Sequence, residues 1–528
     1  MNIKDLIKDI KVKRIENERN CDIKDIAFDS RKVGPCSLFV AVKGEKADGH
    51  LFIGEAVKRG ASGVVVEDIS QQEIRTLSER DIPIIFVKDS REALALIGSR
   101  FYDYPSQKLL LIGITGTNGK TTITYITKNI FQKDGRRTGI IGTLGYQIGD
   151  ELIPLSNTTP ESIELNSIFN MMLRDGISTV IMEVSSHALK LSRVKGLEFD
   201  AAVFTNLTQD HLDFHKTWDD YLESKLRLFS EMKRGKNKKA IINSDDPSGR
   251  RFIEETGAEI WRYGMGSDAD IYPEDIEISM DGIAFNAVTP AGKFHVRSKL
   301  IGRHNLYNIL ASIGVGFSQG IDCESIREGI WETDYIPGRC ERIIEGQDFT
   351  VVVDYAHTED ALSHLLMAVS EVEKGAGEIR QGSGIRDQGS EVGRIITVFG
   401  CGGDRDRGKR PLMGKVAGAF SDIVIITSDN PRTEDPGEII REIEAGIRGN
   451  SDNDWRMKEY FIVPDRRDAI EKGISIARRG DIVVIAGKGH EDYQIIEDKR
   501  LKFDDREAAR EAIRKREGDD YLSFSFSP

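Results

Sequence analysis

An α/β protein of three domains is predicted by three observations. The chain has 528 residues, too many for one hydrophobic core and suited to about three. Short apolar runs alternate with amphipathic helical stretches along nearly all of it, the pattern of parallel sheets covered on both faces. One such run leads into a glycine-rich turn with a lysine and two threonines, Gly113-Ile-Thr-Gly-Thr-Asn-Gly-Lys-Thr-Thr122. The prediction is a central P-loop-type parallel-sheet domain flanked by a small N-terminal α/β domain and a C-terminal Rossmann-like α/β domain.

The N-terminal domain is expected over 1–106, from β-like runs at 37–42, 63–66 and 82–87 with a helical pattern at 53–59 between them. Pro105 breaks the preceding helix, and 101–108 reads as a linker. The central domain is expected over 107–338, with strands at 180–184, 201–205 and 240–243. The C-terminal domain, 339–528, repeats the pattern at 349–354, 394–400, 423–427 and 481–486. Its runs lead into polar motifs, and open α/β sheets bind ligands at that carboxyl edge. Between 375 and 393 the chain is rich in glycine without apolar period, and reads as a mobile surface insertion.

Composition narrows the function. Hydrophobic residues make up 39% and charged residues 30%, and no run approaches the roughly 18 apolar residues of a membrane span. The charged start, Met-Asn-Ile-Lys-Asp, is no signal peptide. A cytoplasmic protein without membrane partners is expected. Five scattered cysteines (Cys21, Cys36, Cys323, Cys340 and Cys401) without a Cys-x-x-Cys pair argue against a disulfide framework and a structural zinc. A net charge of −13 argues against nucleic acid. Small anions remain, since Arg and Lys cluster beside the glycine-rich segments.

The turn at 113–122 reads as a phosphate cradle. Gly116 and Gly119 let backbone amides approach phosphate oxygens at the positive end of the following helix. Lys120 would neutralise the β- and γ-phosphates, and the Thr121 hydroxyl would face Mg²⁺. Glycine spacing departs from the standard P-loop, so this is a variant. An ordinary strand-to-helix turn is the competing reading, disfavoured by Lys-Thr-Thr.

Glu183 closes a predicted strand, where a carboxylate can hold Mg²⁺ or serve as a cap or ion-pair partner. His211 lies in Thr205-Asn-Leu-Thr-Gln-Asp-His-Leu-Asp, readable also as a turn. Lys225 sits amid apolar neighbours of a helical stretch, where a solvated lysine is the ordinary reading. Spacing decides none of the three. In the last third, Gly400-Cys-Gly-Gly-Asp-Arg-Asp-Arg-Gly-Lys-Arg-Pro, Ser428-Asp-Asn-Pro-Arg and Gly487-Lys-Gly-His-Glu follow apolar runs. Guanidinium forks bind carboxylates, and Asp429 and Glu491 can hold an ammonium, so a zwitterionic, amino-acid-like ligand suits them. A dinucleotide fingerprint is the alternative for the Gly400 motif, but the dense charge after it is unlike the apolar start of a packed helix.

Taken together these motifs resemble the Mur ligase family over nearly the whole chain, with Asp29-Ser-Arg, Asn157-Thr-Thr, Gly302-Arg-His-Asn, Pro337-Gly-Arg and Asp354-Tyr-Ala-His in addition. The resemblance implies ATP-dependent amide-bond formation in peptidoglycan synthesis. The D-glutamate carboxylate of UDP-MurNAc-L-Ala-D-Glu is phosphorylated, and a diamino acid's amine then attacks the acyl phosphate. It implies a UDP-binding N-terminal domain, a central ATP domain, a C-terminal amino-acid domain and a monomer. Lys225 is implied to be carbamylated and to help place Mg²⁺ with Thr121, Glu183 and His211.

ATP is assigned to Gly116, Thr117, Asn118, Gly119, Lys120, Thr121, Thr122, His304, Asn305, Arg339 and Asp354. The muramoyl peptide falls to Ser30, Asn157, Thr158, Thr159, Ser185 and Arg193. The amino acid falls to Arg405, Asp429, Asn430, Pro431, Arg432, Gly487 and Glu491. Members with Asp-Asn-Pro-Arg resemble the meso-diaminopimelate-adding type, whose substrate carries a second carboxylate for Arg405 and Arg432. L-lysine addition and folylpolyglutamate synthesis are the alternatives.

Overall fold

A computed structural model describes residues 1–44, 47–232, 237–279, 282–334, 336–382, 393–449 and 455–524. The α/β class holds throughout. Its first sheet has five strands, Val12–Glu16, Asp25–Ala27, Ser37–Val40, Ala61–Val66 and Ile84–Val87, parallel apart from the antiparallel pairing of the first with the last.

Strand Leu110–Thr115 lies at the centre of the largest sheet, between Ala201–Phe204 and Thr179–Glu183, and is parallel to both. Its run is apolar on both faces because both are covered. Ile112 and Ile114 pack with Ile123 and Ile126 of helix Lys120–Lys133 and Leu306 and Ile309 of helix Arg303–Ser318. Leu111 points the other way, into a core with Phe169, Tyr221 and Leu226, as period-two alternation requires. Glu183 pairs in register with Ile114, so the strand end carrying this acid lies beside the start of the glycine-rich turn.

Parallel alternation is not the whole of the middle segment. Strands Tyr272–Ser279, Gly282–Thr289 and Gly292–Ser298 form an antiparallel meander. Its middle strand alternates buried and half-buried residues, a period the reading by continuous apolar runs passed over.

In the six-stranded sheet, Asp354, Ala486, Phe399 and Ile426 end four neighbouring strands at one level of the register. Four connecting loops therefore leave the same edge, and three of them carry the charged motifs. The helix Glu359–Gly382 runs into the segment read as a surface insertion. The rest of that segment to 392 lies outside the described residues.

Two buried arginines brace this unit through ion pairs. Arg410, fully buried, donates to Glu434 and Glu442 at 2.7–2.9 Å. Arg466 donates to both Asp505 oxygens at 2.8 and 2.7 Å and to the Ala486 carbonyl at 3.0 Å. Arg466→Ala is expected to destabilise the fold by about 3–5 kcal/mol, because it strands the buried Asp505 carboxylate. Urea unfolding with an unchanged transition midpoint would contradict this.

Candidate functional site

Gly116 and Gly119 are required by their surroundings. Both have positive φ, +145° and +87°, and a Cβ would lie 1.8 Å from Thr205 Oγ1 at the first and 2.3 Å from Asn308 Oδ1 at the second. Asn206 fixes the turn between them: its carbonyl accepts from the Thr117 amide and its side chain from the Asn118 amide, both at 2.9 Å. The Lys120 ammonium folds back on the Gly116 and Thr117 carbonyls at 3.0 and 2.8 Å. Burial pulls its pKa below the usual lysine value, with Glu183 and Asp210 opposing and Arg339 adding to the fall. A phosphate here meets a cation already held at the loop. Thr122 follows Thr121 in the helix's first turn, and the Thr121 hydroxyl accepts from Arg339 Nη2 at 3.4 Å.

Glu183 is 1% exposed and accepts from the Thr143 amide and hydroxyl, each at 2.9 Å. Gly142 makes room: a Cβ there would lie 2.3 Å from Glu183 Oε1. Neither Gly142 nor Thr143 was singled out in the sequence, nor was the strand Thr138–Gly142 that carries the glycine. Lys225, 1% exposed in helix Trp218–Ser230, is not a solvated lysine. Its ammonium donates to the Gly116 carbonyl at 2.7 Å and stands 4.6 Å over the Tyr221 ring. Burial foremost, then Lys120, drives its pKa far below 10.5, against Asp210. His211 takes a left-handed φ of 54°, lies 3.3 Å from Asp210 and meets the His187 ring edge-on. Burial pushes its pKa down to about 4 despite Asp210.

Two cavities lie in this region, the smaller of them lined by the loop. The smaller, about 530 Å³, is lined by Asn118, Gly119, Thr121, Thr122, His304, Asn305, Arg339 and Asp354, and by Asp360 of the last third. Asp360 accepts from Asn118 Nδ2 at 2.6 Å, tying the C-terminal sheet unit to the loop. Asp354 accepts from the Cys340 and Ala356 amides at 2.7 Å, and burial raises its pKa against Arg339. Asn305 also holds the helix start, donating to the Ile301 carbonyl at 2.8 Å and accepting from Asn308 at 2.9 Å.

The larger cavity, about 1180 Å³, brings together Asn157, Thr158, Ser185, Arg193 and His211 on one side with Arg405, Asp429, Asn430, Arg432, Gly487 and Glu491 on the other. Pro431 stands behind this wall, where its carbonyl packs on Gly403. Thr159 is buried beneath it, its hydroxyl donating to the Glu183 carbonyl at 2.9 Å and accepting from the Ser185 amide at 3.0 Å. Ser30 lines neither cavity; its hydroxyl donates to Glu55 at 3.1 Å within the first sheet unit.

Arg432 has a left-handed φ of 52° and donates to the Gly403 carbonyl at 2.7 Å. Its own amide donates to the Ile495 carbonyl at 3.1 Å, so the ribbon Tyr493–Ile496 and Lys499–Lys502 holds this turn. Burial and neighbouring Arg405 pull the guanidinium's pKa below the ordinary arginine value. Two crowded guanidiniums at a cavity wall call for an anion. Glu491, raised by burial, lies on the same wall with Tyr355 Oη 3.4 Å away. Tyr355 and Tyr493 line this wall, Lys488 is buried behind it, and none of the three was singled out; a lysine between two glycines after a strand was the available signal.

Family profiles match the chain as "Mur ligase family, catalytic domain" over 22–102, "Mur ligase middle domain" over 114–316 and "Mur ligase, glutamate ligase domain" over 338–489. A protein of Clostridium acetobutylicum named UDP-N-acetylmuramoyl-L-alanyl-D-glutamate–2,6-diaminopimelate ligase 1 is 42% identical, over 98% of this chain and 100% of its own. The ligase of that name from Geobacillus kaustophilus is 44% identical over 94% and 96%. A solved structure of a UDP-N-acetylmuramoyl-L-alanyl-D-glutamate–2,6-diaminopimelate ligase, 33% identical, superposes with a TM-score of 0.63 over 94% of this chain and 95% of that one.

Proposed function

The chain belongs to the Mur ligase family, and on that premise we propose that it is the ATP-dependent ligase that joins meso-diaminopimelate to UDP-MurNAc-L-Ala-D-Glu in peptidoglycan synthesis. The observation that carries this reading is a glycine-rich loop lining one cavity, with a larger cavity nearby in which two guanidiniums and two carboxylates share one wall.

ATP occupies the smaller cavity with its phosphates on Gly116 to Thr122. The muramoyl peptide enters the larger one past Asn157, Thr158, Ser185 and Arg193, and its D-glutamate carboxylate meets the γ-phosphorus. A carboxylate is a poor electrophile, so a carboxylate oxygen first attacks phosphorus and ADP departs. The diaminopimelate amine then attacks the acyl carbon, phosphate leaves, and a proton is lost from nitrogen. Lys120 offsets charge on the transferring phosphoryl group, and much of the remaining acceleration comes from holding three substrates in line. Arg405 and Arg432 take the distal carboxylate of diaminopimelate, and Asp429 and Glu491 the ammonium beside it.

Thr121, Glu183, His211 and a carbamate on Lys225 would hold Mg²⁺. Among the described residues no cluster of three His, Cys, Asp or Glu exists, so a threonine hydroxyl and carbamate oxygens must complete the set, a mainly oxygen shell of the kind Mg²⁺ takes. Mg²⁺ supplies charge neutralisation of the phosphates there. Lys225 suits carbamylation because burial favours the neutral amine over the ammonium. Its nitrogen lone pair adds to CO₂ and a proton leaves, turning a cation into an anion.

The domain roles follow: 1–106 for the uridine end of the sugar nucleotide, 107–338 for ATP and 339–528 for the amino acid, in a cytoplasmic monomer. No helix among the described residues is long and apolar enough to cross a membrane. L-Lysine addition is disfavoured by the paired Arg405 and Arg432, since lysine ends in an ammonium. Folylpolyglutamate synthesis would leave the muramoyl-peptide wall unused.

Incubation with ATP, Mg²⁺ and UDP-MurNAc-L-Ala-D-Glu, with meso-diaminopimelate and L-lysine in competition, tests the reading. The expected product is the diaminopimelate tripeptide with one phosphate released per amide; preferential lysine incorporation would overturn the assignment.

A further inference from the structure

Lys488 is used by none of the steps above, yet it lies directly behind the amino-acid wall, in contact with three residues that line it. It is fully buried, in the turn that follows strand Ile482–Ala486. Gly489 beside it has a φ of +53°, and a Cβ there would lie 2.6 Å from the Gly338 carbonyl oxygen, so the chain bends back and turns the lysine inward. Its ammonium donates to the Tyr493 carbonyl at 2.7 Å and to Asn430 Oδ1 at 2.9 Å. It also faces Asp429 Oδ1 at 3.1 Å and Glu491 Oε2 at 3.5 Å. Asn430 Nδ2 donates to the same Glu491 oxygen at 2.9 Å and closes the ring of contacts.

We propose that Lys488 is a positioning residue that clamps Asp429, Asn430 and Glu491 into one receptor and biases it toward a zwitterionic group over a lone ammonium. The proposal rests on the ligase reading above. Lys488 places a positive charge 3.1 Å from Asp429 and 3.5 Å from Glu491. An ammonium with a carboxylate beside it brings no net charge toward that lysine, whereas a lone ammonium, such as the end of L-lysine, brings one that it repels. Without Lys488 this repulsion is gone, while Asp429 and Glu491 lose the cation that holds them together.

Glu491 provides a second readout. Burial lifts its carboxyl, Lys488 opposes and Asp429 adds to the rise. Arg432, Arg466, Tyr355 and Tyr493 are the other ionisable groups facing it. Removing Lys488 raises Glu491 further, so the acid limb of kcat/KM for diaminopimelate moves to higher pH.

The test is Lys488→Met, a near-isosteric change, in the full-length enzyme with all substrates. KM for diaminopimelate is expected to rise about tenfold or more, from the loss of charged hydrogen bonds, with KM for ATP within about twofold. The preference for diaminopimelate over L-lysine is expected to fall and the acid limb to move up. Lys488→Arg, which keeps the charge, is expected to leave the limb and the preference in place. An unshifted limb with an unchanged preference in Lys488→Met would overturn the proposal, as would a Lys488→Arg profile matching the Met variant. If the Met variant does not melt cooperatively, Lys488→Gln, polar but uncharged, carries the same readouts. Wild-type enzyme that fails to use diaminopimelate would overturn the ligase reading instead.

Discussion

Lys225→Ala is expected to lower kcat by about 10²–10³-fold while leaving the melting temperature within a few degrees of wild type. The magnitude is that of removing one preorganised charge from a site where charge develops. Its physical basis is the position of the amine, which is buried, turned onto the Gly116 carbonyl and close enough to Lys120 for their charges to repel. A second ammonium there would compete with Lys120 for the loop carbonyls without helping to hold a metal. A carbamate reverses the charge and makes the same position useful. Growth with isotopically labelled bicarbonate, followed by carbon NMR of the active enzyme, is expected to show a carbamate signal that Lys225→Ala lacks. Full turnover in the variant, or active wild-type enzyme with a bare amine, would contradict the carbamate.

Arg432→Ala is expected to raise KM for meso-diaminopimelate by about 10- to 100-fold, the range for losing a charge-assisted, bidentate carboxylate contact. KM for ATP should stay within about twofold, because Arg432 lines the larger cavity and none of the smaller one. Arg405 remains in the variant and retains part of the affinity. The strained φ of Arg432 is carried by the Gly403 carbonyl and the Ile495 pairing, and alanine, which keeps the Cβ, loses the first of these while the strain stays. The split between the two KM values is therefore the decisive measurement. Equal rises in both would point to a disturbed fold and against a contact with the distal carboxylate.

What was legible in the sequence was legible for local reasons. The cradle at 113–122 shows itself because the strand, the glycines, the lysine and the threonines are contiguous. Asp429-Asn-Pro-Arg and Gly487-Lys-Gly-His-Glu stand out because each is a short polar block after an apolar run. The antiparallel meander at 272–298 was not seen, since half-buried alternation is a weaker signal than a continuous apolar run. Thr143, Asp360 and Lys488 were missed because each acts on a residue distant in sequence: Thr143 on Glu183, Asp360 on Asn118, Lys488 on Asp429 and Asn430.

The chain's order of apolar and polar residues determined by itself that parallel sheets would form and that charged motifs would emerge at one edge of the last of them. Strand pairing registers side chains only to their own sheet, so that order left Glu183, His211 and Lys225 each with an ordinary alternative. Tertiary packing removed the ordinary alternative for Lys225, which is buried and not solvated. Pairing of Glu183 with Ile114 and burial of helix Trp218–Ser230 against that sheet bring the carboxylate and the amine to the same glycine-rich loop. There the loss of water weakens the hold of Lys225 on its proton, an effect fixed by what surrounds a group in space and not by its neighbours along the chain.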